Sequence, residues 1–164
     1  MVQQLSVFLQ NEAGKLASVT GALAAGGVDI RALSIADTMD FGVLRMLVSD
    51  VAAAKAILER EACIFSVTGV TVVAVPDQPG GLARVLRLMA DNGVDIEYMY
   101  SLIGRSADRA YMVFRVSDEQ KLLALLGANG ISTITGEELG IRKNKEQERP
   151  CRITAENVNS LPIP

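Results

Sequence analysis

Hydrophobic positions along the chain recur first two apart and then three or four apart, and the switches between these periods predict a series of strands and helices. Within residues 3–10, Leu5, Val7 and Leu9 alternate with polar neighbours and share one face of a strand. After the loop 11–14, Leu16, Val19 and Leu23 stand at helical spacing. Gly26-Gly27 ends that helix, because glycine adopts a left-handed cap at little cost. Residues 29–36 and 41–48 are two further strand patterns, and Asp37-Thr38-Met39-Asp40 between them suits a hairpin turn. Asp50 caps a helix over 52–61 with Ile57 and Leu58 as its apolar stripe, and 64–68 is a short closing strand.

The same order then returns: strand 70–75, helix 81–91, strands 96–103 and 110–116, helix 119–129, strand 131–135. Ser117-Asp118-Glu119-Gln120 has the form of a capping box with Ser117 as the cap, and Asn129-Gly130 supplies the stop. Set Gly14–Ile30 beneath Gly80–Ile96 and nine of seventeen positions are identical without a gap. An unrelated pair would share roughly one or two, so the chain contains a duplicated unit. Ser49-Asp50 matches Ser117-Asp118 at a spacing two residues larger, which places a short insertion in the second hairpin.

A β-α-β-β-α-β order is the ferredoxin-like unit, an antiparallel sheet with both helices on one face. The expected class is therefore α+β, with a unit at 1–68, a second at 69–140 and a tail at 141–164. Units of this size bury little alone, so they are expected to share an interface or pair with a second chain. The tail is rich in charge and Pro; Ile153, Val158, Leu161 and Ile163 are the residues that could anchor it to a partner surface.

Composition narrows the function classes. With 49% hydrophobic residues and no apolar run near the length of a membrane span, a cytoplasmic globular protein that binds no membrane is expected. A net charge of −3 and a pI near 5.0 argue against a nucleic-acid surface. Phe41, Tyr111 and Phe114 do not form the stacking motif that RNA-recognition sheets need. Cys63 and Cys151 read as plain thiols, and there is no histidine, so no metal site or cofactor is expected. Catalysis would have to rest on groups such as Lys15, Asp29, Asp95 or Arg109, and no pair of them forms a recognisable acid and base.

The chemistry that remains sits in two loops. Asn11, Glu12, Ala13, Gly14, Lys15 and Leu16 form the first; Asp77, Gln78, Pro79, Gly80, Gly81 and Leu82 form the second. Each puts glycine just ahead of a helix, where the first amides lack intrahelical partners and the helix dipole is positive. Such a loop suits a carboxylate, and Asn11 or Asp77 beside it could accept hydrogen bonds from an ammonium group. The same residues also serve as a tight turn with a good helix start. Asp29-Ile30 and Asp95-Ile96 open the second strand of each unit; they either cap turns and enter the core or face the other unit's glycine loop and close a pocket. In the second case Arg31, Glu97 and Tyr98 would select the side chain, while Tyr98, Met99 and Tyr100 read equally as core or interface.

Residues 75–82, with Val85, Met89, Gly93, Val94, Asp95 and Ile96, resemble the ACT-domain signature, in which a strand ends in D-x-P-G-x-L and the following helix leads to G-[VI]-[ND]-I. The first unit departs from it at Asn11, where an acidic residue is usual, and at Ala13, where proline is usual. The resemblance spans residues 2–139 and is to the small stand-alone tandem ACT proteins. It implies an eight-stranded antiparallel sheet from two units side by side, free amino acids bound at the ACT–ACT interface, and frequent homodimers. A non-catalytic amino-acid-binding regulatory protein is the expected function. The alternative is a regulatory subunit of an amino-acid biosynthetic enzyme, such as an acetolactate-synthase small subunit.

Overall fold

A computed structural model gives the fold and describes residues 1–37, 41–106 and 108–142. The expected turn at 38–40 and the segment 143–164, with Cys151, Ile153, Val158, Leu161 and Ile163, lie outside the described residues. The elements are β1 (Val2–Gln10), α1 (Lys15–Ala25), β2 (Ile30–Asp37), β3 (Phe41–Val48), α2 (Val51–Arg60), β4 (Ile64–Pro76), α3 (Gly81–Asp91), β5 (Ile96–Ser106), β6 (Arg109–Val116), α4 (Glu119–Ala128) and β7 (Thr133–Ile134).

The helix limits follow from local caps. The Asp50 carboxylate accepts the Ala53 N–H at 2.9 Å and starts α2. At α4 the cap is Asp118, which accepts the Lys121 N–H at 3.0 Å, and not Ser117 as the capping-box form suggested. Gly27 and Gly130, with φ of 71° and 65°, reverse the chain after α1 and α4.

Among the described residues the sheet has seven strands in place of the eight expected. The strands anticipated at 64–68 and 70–75 are one strand, β4, of 13 residues. Gly69, which falls between those two anticipated strands, stays in register opposite Gln3 of β1, and the β-branched residues on either side of it favour extended backbone. One stretch of β4 pairs with β1, from Val2 opposite Val70 to Phe8 opposite Ile64, and the next pairs with β6, from Thr71 opposite Phe114 to Pro76 opposite Arg109. The halves also meet where Ala32 of β2 pairs with Leu102 of β5. Six strands, β1-β3-β2-β5-β6-β4, therefore close into an antiparallel barrel, and β7 adds to β4. Closure leaves fewer bare strand edges than a flat eight-stranded sheet would.

Leu5, Val7 and Leu9 pack with Val19, Leu23, Ile57 and Leu58 in one core, and that core also takes Tyr100 and Val113 from the second half. Val73, Val75, Val85, Met89, Phe114, Leu122 and Leu126 form the other. Past β7 the chain crosses back to the first half. Ile141 is buried against the first core, the Arg142 N–H donates to the Ser49 carbonyl at 2.8 Å, and its guanidinium meets Asp50 at 3.4 Å. No helix among the described residues is long and apolar enough to cross a membrane.

Candidate functional site

Both glycine loops are built alike. Gly14 and Gly80 are the N-caps of α1 and α3, left-handed at φ 88° and 83°, and neither helix has a side-chain cap. A Cβ at either position would meet nothing within 4 Å, so open space lies over each cap. Intrahelical bonding begins at Ser18 N–H to the Gly14 carbonyl (2.8 Å) and at Arg84 N–H to the Gly80 carbonyl (3.0 Å). The preceding amides of Leu16 and Ala17, and of Leu82 and Ala83, have no helical carbonyl behind them and carry the positive end of the helix dipole.

The remaining loop residues hold this geometry. In the first loop, Glu12 accepts the Lys15 N–H at 3.3 Å and its carboxylate stands 3.8 Å from the Lys15 ammonium; Ala13 is exposed in the turn. The Asn11 side chain lies beside Gly42 of β3. In the second loop, the Asp77 N–H donates to the Asp108 carbonyl (3.0 Å), Gln78 N–H to Pro76 (2.9 Å) and Gly81 N–H to Gln78 (2.9 Å). Pro79 is exposed, Leu82 packs on the second core, and the Gly81 Cα faces the Pro76 carbonyl so closely that no side chain fits.

The two loops do not meet. Loop one follows Gln10, whose strand pairs at its far end with Ile64, whereas loop two follows Pro76 at the other end of β4. Twelve residues of strand separate those ends, about 40 Å when fully extended. Asp29 bonds to its own surroundings: its carboxylate pairs with Arg31 at 2.9 Å and its N–H donates to Ser49 Oγ at 2.9 Å. The Asp95 carbonyl accepts the Ser117 N–H at 3.3 Å, Ile30 packs against the first core and Ile96 against the second. The antiparallel β2–β5 register puts Asp95-Ile96 at the same end of the barrel as loop one, and Asp29-Ile30 at the same end as loop two. Each loop is then three strand spacings, about 14 Å, from the Asp-Ile pair of the other half.

Two features escaped the sequence reading. One is a polar network inside the barrel: Gln4, fully buried, donates from Nε2 to Ser6 Oγ (3.0 Å) and to the Tyr98 hydroxyl (2.8 Å), and its Oε1 accepts from the Tyr100 hydroxyl (2.9 Å). Tyr98 and Tyr100 thus point into the barrel, while Met99 packs on the second core. Burial first, then the neighbouring Tyr98, pushes the Tyr100 phenol above its ordinary pKa. The only hint in the sequence is that Gln4 and Ser6 alternate with Leu5 and Val7. The other is a cleft of about 530 Å³ between β1, β4, β7 and the 133–142 segment, walled by Val2, Val72, Leu123 and Ile134.

A family model described as "ACT domain pair" matches residues 1–143. Among solved structures, protein BT0572 from Bacteroides thetaiotaomicron is 36% identical, with a TM-score of 0.79 over 85% of this chain and 95% of that one. The regulatory subunit of aspartate kinase from Thermus thermophilus, in its ligand-free form, is 16% identical with a TM-score of 0.57, covering 77% of this chain and 91% of that one. Aspartate kinase from Synechocystis is 23% identical with a TM-score of 0.55 and covers 79% of this chain and 26% of that one. At these identities the two kinase structures share the fold alone. No curated protein matches the chain. With its repeated glycine-capped helices and a family match that runs from Met1 to beyond the last strand, the chain belongs to the family of ACT domain pairs.

Proposed function

We propose that the protein is a non-catalytic regulatory sensor of free amino acids, with one site in each half. In each, the ligand α-carboxylate rests on the amides of a glycine-capped helix N-terminus, and the other half's Asp-Ile pair closes the interface. The observation that carries this reading is the matched pair of caps, Gly14 and Gly80, each with open space over it and no side-chain cap, so that the amides of Leu16 and Ala17 and of Leu82 and Ala83 lack an intrahelical acceptor. Similarity in fold to a protein named as an aspartate kinase regulatory subunit supports a regulatory role. The loops differ at Asn11 and Asp77, so ligand affinity differs between them. Isothermal calorimetry against the twenty amino acids tests the proposal. Heat is expected from at least one of them, with Gly14→Asp and Gly80→Asp each removing one site by filling the vacant space and placing a carboxylate against the ligand's own. The absence of heat from every amino acid would overturn it.

A further inference from the structure

A hollow of about 260 Å³ adjoins the first glycine loop, between the first turn of α1, at Lys15 and Ser18, and the C-cap of α2, at Glu61. Buried Leu9 and Val19 border it, and so do Phe8, Phe41 and Ile64, which are 45%, 50% and 74% exposed. At ~30 Å³ per water molecule the hollow has room for about nine waters, roughly the number of heavy atoms in leucine. The start of α1 and the end of α2 face the same space, so the positive end of one helix dipole stands across from the negative end of another. Side chains repeat that polarity. Lys15 stands 3.8 Å from Glu12, and the Glu61 carboxylate forms no ion pair among the described residues. Both charges reach Cys63 in the same hollow: burial first, then Glu61, pushes its thiol up, and Lys15 pulls it back.

The duplication gives each of these residues a counterpart in the second half. Gln10 pairs with Phe41 as Pro76 pairs with Arg109, and the C-caps Glu61 and Asn129 are each followed by a left-handed residue, Ala62 and Gly130. On that frame Phe8, Phe41 and Ile64 correspond to Ala74, Arg109 and Ser132, and Lys15 corresponds to Gly81. Two aromatic rings and a branched aliphatic thus give way to a methyl group, a cation and a hydroxyl. The acids change place as well. Asp77 in the second loop corresponds to Asn11, whereas Glu61 at the end of α2 corresponds to Asn129. An ammonium group therefore has its carboxylate in the loop of the second half and across the hollow in the first.

We infer, on the basis of the sensor function proposed above, that the first site takes an amino acid with an aliphatic side chain of about leucine's size, and that the second site does not share this preference. The side chain lies in the hollow against Phe8, Phe41 and Ile64, the carboxylate on the start of α1, and the ammonium on Glu61. The test is calorimetry on Gly80→Asp, in which the first site stands alone, with leucine, serine and aspartate as probes. Leucine is expected to bind roughly tenfold or more tighter than either of the others. Ile64→Ser places the second half's residue at an exposed position; it is expected to weaken leucine roughly fivefold or more with the melting temperature unchanged. Glu61→Gln is expected to weaken leucine and serine alike. Should Gly80→Asp not fold, Ile64→Ser in the otherwise unmodified chain decides, by the loss or retention of its tightest leucine step. Serine or aspartate binding as tightly as leucine, full leucine affinity in Ile64→Ser or in Glu61→Gln, or a folded Gly80→Asp that binds none of the three would overturn the inference. Failure of the sensor function looks different: the unmodified chain would give no heat with any of the twenty amino acids.

Discussion

Gly80 and Gly81 are adjacent glycines with different reasons for being so. Gly80 needs its left-handed backbone and has open space around it, whereas Gly81 has ordinary helical backbone and no room for a methyl group beside the Pro76 carbonyl. Gly80→Ala is expected to cost about 1–2 kcal/mol from backbone conformation alone. Gly81→Ala has to push α3 away from the end of β4, at about 1–3 kcal/mol or more. Denaturant melts of both variants check the order. If Gly81→Ala proves the milder change, the close approach is not what holds α3 in place. From the sequence these two residues formed a single turn motif, since neither φ nor a contact with a residue five positions back can be read from the letters. The Ser117-Asp118 pair was ambiguous in the same way. Two good cap residues stand side by side, and the start of α4 selects the second.

At the level of elements, the helices were legible nearly to the residue because their starts and stops are local chemistry: Asp50, Gly27, Gly130. The strands were less so where pairing overrides local preference. Gly69 divides the β-branched run around it, yet the ladder to Gln3 carries β4 straight through. The segment after β7 shows the same limit, for composition marked 141 as the start of a tail, whereas Ile141 is a core residue of the first half. Ile141→Ala should therefore destabilise the protein by about 2–4 kcal/mol, as expected for truncating a buried aliphatic side chain. A change in thermal stability too small to measure would mean that this segment only rests on the surface.

The duplication and its family were legible because nine matching residues and a loop signature lie within short windows. The barrel was not. It depends on contacts such as Gln4 with Tyr98 and Tyr100, across 94 and 96 residues, which no periodicity announces. The candidate loops were found from sequence, but their placement at opposite ends of β4 had to come from the register. One core already draws Tyr100 and Val113 from the second half, so the halves are expected to unfold together. Scanning calorimetry should show one transition with equal calorimetric and van't Hoff enthalpies, and two resolved steps would contradict the shared interior.

β4 belongs to both copies at once. Deleting either repeat would strip the survivor of part of its framework and leave raw backbone where a neighbour had been. Neither copy can therefore be lost or exchanged without rebuilding the strand that runs through the join.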